Sequence, residues 1–252
     1  MNLKELLGER PLFVHAHPDD ETLETGALIA ACANQGIEPH LLTCTRGEQG
    51  EGVTGVIPSD FTMKELTDYR EKELEAACAI LGVAGQYWLG NAPARAKGLE
   101  DRRYHDSGMV WIDERLAGPA EVDDETTFTA ATIEEAAADL AQLIETIQPT
   151  SIITYDDTGT YGHPDHIRSH EIVKAAAKAT GVPFLETAAS LSDSNFIELD
   201  LHEFLDVVID ALSKFRSQLT VFPDHVQHVG GQRAEFATAV RIRRHSGTVT
   251  VE

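Results

Sequence analysis

Two short stretches of this 252-residue chain carry the residue types that metal-assisted hydrolysis needs. The first is His17-Pro18-Asp19-Asp20-Glu21 and the second is His163-Pro164-Asp165-His166. Each sets imidazole nitrogen beside anionic oxygen, with a proline stiffening the turn. A divalent metal accepts that mixture of ligands. His17 and Asp20 from the first stretch, with one histidine from the second, make a His₂Asp set. Three protein ligands and an open fourth position is the catalytic zinc arrangement, because a closed structural site uses four. Zinc lowers the pKa of its bound water to about 7. A spare carboxylate is then free to act as general base, and a second imidazole can stabilise an oxyanion or protonate a leaving amine. Asp165, between the two histidines, can hold an imidazolium charged. Spacing alone leaves two choices open: Asp19 or Asp20 as ligand, and His163 or His166.

Both stretches follow a short buried strand and open a helix. Leu12-Phe13-Val14 leads into the first, and Ser151 to Tyr155 leads into the second through Asp156 to Gly162. Helices are expected at Thr22 to Gln35, Met63 to Leu81, Ile133 to Ile147, on from the second motif to Ala179, and at Leu201 to Leu219. Further strands are expected at Glu38 to Cys44, Gln86 to Leu89, Pro183 to Thr187 and Asn195 to Leu199. Strands alternating with helices predict an α/β, Rossmann-like, mostly parallel sheet flanked by helices. In such a sheet ligands bind at the carboxyl ends of the strands. The core is expected over about 11–190 of one domain, with 191–252 as a small C-terminal extension closing the pocket. Ala237 to Ile242 and Thr248 to Val251 are expected to pair as a hairpin. The long segment Asn91 to Phe128 has no sustained period. Its knot His105-Asp106-Ser107-Gly108-Met109 is expected near the pocket mouth.

Composition narrows the partners. Twenty basic against 42 acidic side chains give a net charge of −22, a surface that repels phosphate backbones. Nucleic acid is therefore not expected, and a neutral or cationic small molecule is. Cys32, Cys44 and Cys78 are odd in number and lie in apolar segments, as buried hydrophobes do in a reducing compartment. Met1 to Arg10 is short, charged and runs straight into the first strand. No signal peptide, membrane span or membrane partner is expected, and the location reads as cytoplasmic. Composition sets no oligomeric state. The loop Thr45 to Gly52 is glycine-rich but acidic, which makes a poor phosphate cradle and a better pocket lining.

Plainer readings compete. Any of Asp19, Asp20, Glu21 and Asp165 can be an acid favoured at a helix start. Two such turns after two strands, with the histidines the chemistry needs, favour the metal. Glu21 adds no evident catalytic role and reads as support. His15 reads as a satisfied core histidine, and His225 and His228 as surface histidines. No Gly-x-Gly-x-x-Gly follows the first strand, so a dinucleotide module is not expected. A non-catalytic metal-binding protein would need His17, Asp20 and His166 but neither Asp19 nor His163.

The paired motifs, their order and their strand-before-loop context resemble the LmbE-like (PIG-L) zinc N-deacetylase family, from about Pro11 to Ala177. The resemblance implies one Zn²⁺ per chain, with Fe²⁺ as the cellular alternative, on His17, Asp20 and His166. It implies Asp19 as general base and His163 as acid or oxyanion stabiliser, with Asp165 as its electrostatic partner. Gly47-Glu48-Gln49-Gly50-Glu51, Tyr69-Arg70, Asp106-Ser107-Gly108-Met109 and Tyr161-Gly162-His163 are similar to one branch, which deacetylates N-acetylglucosaminyl-inositol in mycothiol biosynthesis. That similarity implies Arg70 and Asp106 on sugar hydroxyls, Glu48 as a pocket wall, Met109 beside substrate and Tyr161 on the oxyanion. Thr160 stands where that branch has glycine, and Ile167-Arg168 resembles the sister branch, the mycothiol S-conjugate amidase. The expected activity is hydrolysis of an acetamide on an amino sugar. The conjugate amidase and deacetylation of another N-acetylglucosaminide are the alternatives.

Overall fold

A computed structural model describes residues 2–58, 60–114, 116–121, 124–188 and 195–245. Its first half contains α1 (Leu3–Leu7), β1 (Pro11–His15), α2 (Asp20–Asn34), β2 (His40–Thr43), α3 (Met63–Leu81), β3 (Gly85–Trp88), β4 (Met109–Trp111) and β5 (Ala117–Pro119). There follow α4 (Ile133–Ile147), β6 (Ser151–Tyr155), α5 (Gly159–Gly162), α6 (Pro164–Thr180), β7 (Phe184–Thr187) and β8 (Ile197–Asp200). The last elements are α7 (Leu205–Leu212), β9 (Leu219–Val221), β10 (Val226–His228), β11 (Arg233–Ala234) and β12 (Ala239–Arg244).

Seven strands form the main sheet in the order β3-β2-β1-β6-β7-β12-β8. The first five run parallel, so their carboxyl ends share one rim. Every residue of β1 and β6 is buried, as strands covered on both faces require. Side-chain alternation then divides the core. Phe13, Leu41 and Ile153 pack on one face with α2, α3 and α7. Leu12, Val14, Leu42 and Ile152 pack on the other with α4 and α6. The helices start where their caps put them. Thr62 and Glu65 close a capping box at α3, which ends on Gly82 in the left-handed conformation at φ 78°.

The expected architecture forms, with three differences. The unpatterned segment after Asn91 contains the β4–β5 hairpin, too short to show a period. The helix expected over Leu201 to Leu219 is a 3₁₀ turn and α7, which stops at Leu212. Its apolar spacing continues to Phe215 and Leu219, but Glu73 of α3 captures the Ser217 amide at 2.7 Å and the Ser217 hydroxyl. That long-range bond overrides the local period. The C-terminal part is also divided. β9, β10 and β11 form a separate sheet, whereas β12 inserts antiparallel between β7 and β8. The hairpin partner expected at Thr248 to Val251 lies outside the described residues.

All three cysteines are free and buried, and burial pushes the Cys32 and Cys44 thiols up to about 12. Among the described residues no helix is long and apolar enough to cross a membrane. Glu73→Ala removes both bonds to Ser217 and leaves that buried amide unsatisfied. The expected loss is about 1–3 kcal/mol of stability, read from denaturant unfolding.

Candidate active site

The two motifs meet on the rim of the sheet. β1 ends at His15, the chain turns through Ala16 to Asp19, and α2 begins at Asp20. β6 ends at Tyr155 and the second turn leads to α6, whose N-cap is His163. The Asp20 carboxylate is the meeting point. Its Oδ2 accepts from the His17 amide at 2.9 Å and from the Tyr155 hydroxyl at 2.8 Å. The same oxygen lies 3.1 Å from His17 Nδ1 and 3.3 Å from His166 Nε2. Burial opposes ionisation, but His166 and His17 hold the Asp20 carboxyl well below the usual carboxylate range.

His166 is fully buried, its ring stacked on Tyr155 at 4.0 Å and 9°. Neither of its ring nitrogens has a hydrogen-bond partner. A buried imidazole with no hydrogen bond, its Nε2 facing a carboxylate, has a lone pair free to ligate a cation. The donor set of imidazole and carboxylate suits zinc or iron(II), so His17, Asp20 and His166 fit the implied metal. Ligand atoms of His17, His163 and His166 also lie within 4.8 Å of one another, as do those of Asp20, Glu24 and His166. His163 is partly committed, because its Nδ1 accepts from the Asp165 amide at 3.1 Å. His170, Glu186 and His245 form a further cluster, but there Arg243 binds Glu186 at 2.6 Å.

Asp19 stands apart from the helix-start reading. It occupies the N-cap position of α2, at φ 110°, yet its side chain makes no capping bond. A non-glycine residue at that φ is strained and persists only where its surroundings fix it. Glu21 supplies that constraint, accepting from the Asp19 amide at 3.0 Å. Burial and the charges of Asp20 and Glu21 push the Asp19 carboxyl well above its ordinary range. Burial and the neighbouring His17 and His166 press His163 down to about 2.

One pairing is corrected. The Asp165 carboxylate does not partner His163: its Oδ2 lies 3.2 Å from His17 Nε2 and accepts from the Ser107 amide at 2.9 Å. His163 caps the helix with its ring, which leaves the carboxylate of Asp165 to the histidine across the site. Asp106 also faces His17, at 3.7 Å, and accepts from Gly108 at 2.8 Å. Burial opposes it, yet His17 and His163 hold the Asp106 carboxyl low.

Arg70 and Glu48, expected on substrate and on the pocket wall, are buried struts. Arg70 donates to the carbonyls of Gly47 and Glu51. A Cβ at Gly50 would sit 2.7 Å from its guanidinium, which is why the loop is glycine-rich. Glu48 accepts from the Arg46 and Asp106 amides and from Arg103, at 3.1, 2.9 and 3.1 Å. Met109 is half-buried at the start of β4. The Tyr161 ring lies edge-on to His166 at 5.2 Å. Thr160 before it adopts φ 64°, the conformation that favours glycine, with its hydroxyl donating to Glu24 at 2.9 Å. His15 is the satisfied core histidine expected, bonded at Tyr155 and Thr25. His228, expected on the surface, is half-buried on β10, where burial lowers its pKa against the smaller opposing charge of Asp20. Tyr155, which sequence reasoning missed, is identified only by its place as the last residue of a buried strand.

A family model described as PIG-L: GlcNAc-PI de-N-acetylase matches residues 12–177. Curated relatives named 1D-myo-inositol 2-acetamido-2-deoxy-alpha-D-glucopyranoside deacetylase are similar to this chain. The one from Thermobispora bispora is 42% identical over 165 residues, 65% of this chain and 49% of the relative. The one from Actinosynnema mirum is 38% identical over 206 residues, 79% of this chain and 66% of the relative. The chain spans about half the length of several of these relatives. Among solved structures, N,N'-diacetylchitobiose deacetylase from Pyrococcus horikoshii aligns with TM-score 0.60 at 20% identity, covering 86% of this chain and 72% of that one. GalB, the 4-carboxy-2-hydroxymuconate hydratase from Pseudomonas putida KT2440, aligns with TM-score 0.61 at 17% identity, covering 97% and 99%. These two likenesses show the fold alone.

Tyr155→Phe keeps the ring stacked on His166 but removes the donor to Asp20. If Asp20 ligates a divalent metal, the expected effect is a roughly 10–100-fold weaker hold on added metal, read by competition with a chromophoric chelator.

Proposed function

The chain belongs to the PIG-L family of GlcNAc-PI de-N-acetylases, and from that premise we propose that it is a zinc-dependent N-deacetylase acting on N-acetylglucosaminyl-inositol. The names of its relatives support that substrate. The fold does not choose the chemistry, since a hydratase shares it. Asp19 is the observation that carries the reading. It is held in a strained conformation beside Asp20, with no capping bond to account for it. A protein that only bound metal would have no use for that carboxylate.

His17, Asp20 and His166 hold the metal in this reading. Bound there, zinc would supply positive charge and an acidified water at neutral pH. Asp19 takes the proton of the attacking water and returns it to the departing amine, while neutral His163, its Nδ1 accepting from the Asp165 amide, donates its Nε2–H to the oxyanion. The Tyr161 hydroxyl steadies the negative charge that develops on the acetyl oxygen when the carbonyl carbon is attacked. Asp165 and Asp106 orient His17 from behind. Arg70 and Glu48 act one step further out, by holding the Gly47 loop and the Asp106 backbone in register. Asp106 and Met109 border the sugar. Products are acetate and the free amine.

In this reading the C-terminal part closes the pocket, which is supported by Gln218 donating to the Pro18 carbonyl at 2.8 Å. Free, buried cysteines support a reducing, cytoplasmic location.

The test is acetate release from N-acetylglucosaminyl-inositol, beside N-acetylglucosamine and a mycothiol conjugate, with zinc-loaded and chelator-treated protein. Metal-dependent release from the inositol glycoside is expected. Activity on the conjugate alone would move the substrate assignment to the amidase branch. Asp19→Asn should keep its zinc and lose at least about 10²–10⁴-fold in kcat. His166→Ala should lose the zinc itself, as elemental analysis would show. Undiminished turnover by Asp19→Asn overturns the base assignment.

A further inference from the structure

We propose that Trp111, on the β4–β5 hairpin, is a stacking platform for the ring that the amino sugar carries as its aglycone, a cyclitol or second sugar. The inference rests on the amino-sugar reading above. It begins from a chain of rings that leads out of the site. His166 meets Tyr161 edge-on at 5.2 Å, and Tyr161 in turn stacks with Trp111 at 5.6 Å and 26°. Trp111 is thus two ring contacts from a proposed metal ligand, and 43% of its surface is open to solvent. A ring joined to the acetylated sugar has to lie outward from the metal by about one sugar unit, a span comparable to the two ring contacts, 5.2 and 5.6 Å, that separate Trp111 from His166.

The platform is held in place. Trp111 pairs with Ala117 across the hairpin, and the turn is closed by Ile112 donating to the Leu116 carbonyl at 2.8 Å. The hairpin packs against the loop that carries Tyr161: a Cβ at Gly162 would meet the Ala117 carbonyl at 2.8 Å. Its other end runs directly from Asp106 and Ser107, both fixed in the site. A rigid aromatic ring that stays half in water beside a pocket is a ready anchor. Its negative face suits the C–H face of a hydroxyl-rimmed ring, and that neutral ligand suits a chain of net charge −22.

The rival explanation is that Trp111 merely props Tyr161, and two substrates separate the two. Trp111→Ala should raise KM for N-acetylglucosaminyl-inositol about tenfold. It should leave kcat and KM for N-acetylglucosamine, which has no aglycone, within about twofold of the unmutated chain. Trp111→Phe should recover most of the loss. An equal loss on both substrates would show a prop for Tyr161, and no loss on either would remove the platform; each overturns the proposal. The unmutated chain offers a second readout, since it has only one other tryptophan. The product glucosaminyl-inositol should change the intrinsic fluorescence and glucosamine should not, whereas equal responses count against the platform. Inactivity of the unmutated, zinc-loaded chain on both acetylated substrates would instead overturn the underlying amino-sugar reading.

Discussion

One oxygen atom, Asp20 Oδ2, is where the molecule's constraints meet. It receives the His17 amide and the Tyr155 hydroxyl and stands against the rings of His17 and His166. Those groups arrive from the end of β1, the end of β6 and the first turn of α6. The parallel register that pairs Phe13 with Ile153 brings the two strand ends level. A buried carboxylate is costly unless surrounded by donors or cations, so any slip of either strand would strand it. The acids around it make the same demand more widely. Asp19, Asp20, Asp106 and Asp165 crowd three imidazoles: burial and mutual repulsion push Asp19 and Asp165 up while the imidazoles hold Asp20 and Asp106 low, a conflict that a divalent cation would relieve.

A second layer keeps that arrangement from relaxing. The Gly47 loop turns its carbonyls toward Arg70, the reverse of a phosphate cradle, in which amides face an anion. Glu48 ties that loop to the Asp106 amide, and Asp165 ties the next amide, Ser107, to His17. Removing one strut would therefore disturb several groups at once, because each buried charge is the partner of another.

The sequence was legible where chemistry and period coincide. His17, Asp19, Asp20, His163 and His166 stand out because nothing in a buried strand or an amphipathic helix calls for them. α3 and α4 are readable because nineteen and fifteen residues are long enough to show a helical period. Arg70, expected on sugar hydroxyls, turns under the Gly47 loop, and Glu48, expected as a pocket wall, turns back to the Asp106 amide, because side-chain direction depends on what packs around it. Tyr155 looks like any β-rich residue until Asp20 is seen opposite it. The end of α7 was hidden for a related reason: Ser217 is bound by a glutamate far away in the chain, and no local pattern records that bond.

The insertion of β12 between β7 and β8 bears on how the chain comes to be folded. β8 is synthesised well before β12, yet among the described residues β12 is its only neighbour in the main sheet. Until that late strand arrives, β7 has an unpaired edge and β8 has nothing to join. Closing such long-range pairings is slow, because loop entropy is lost before contacts compensate for it. An open edge in the meantime is a template for another chain. A nascent chain thus has its chemistry-bearing motifs and its five parallel strands long before its sheet is sealed. The interval between the two is when association with a neighbouring chain competes with folding.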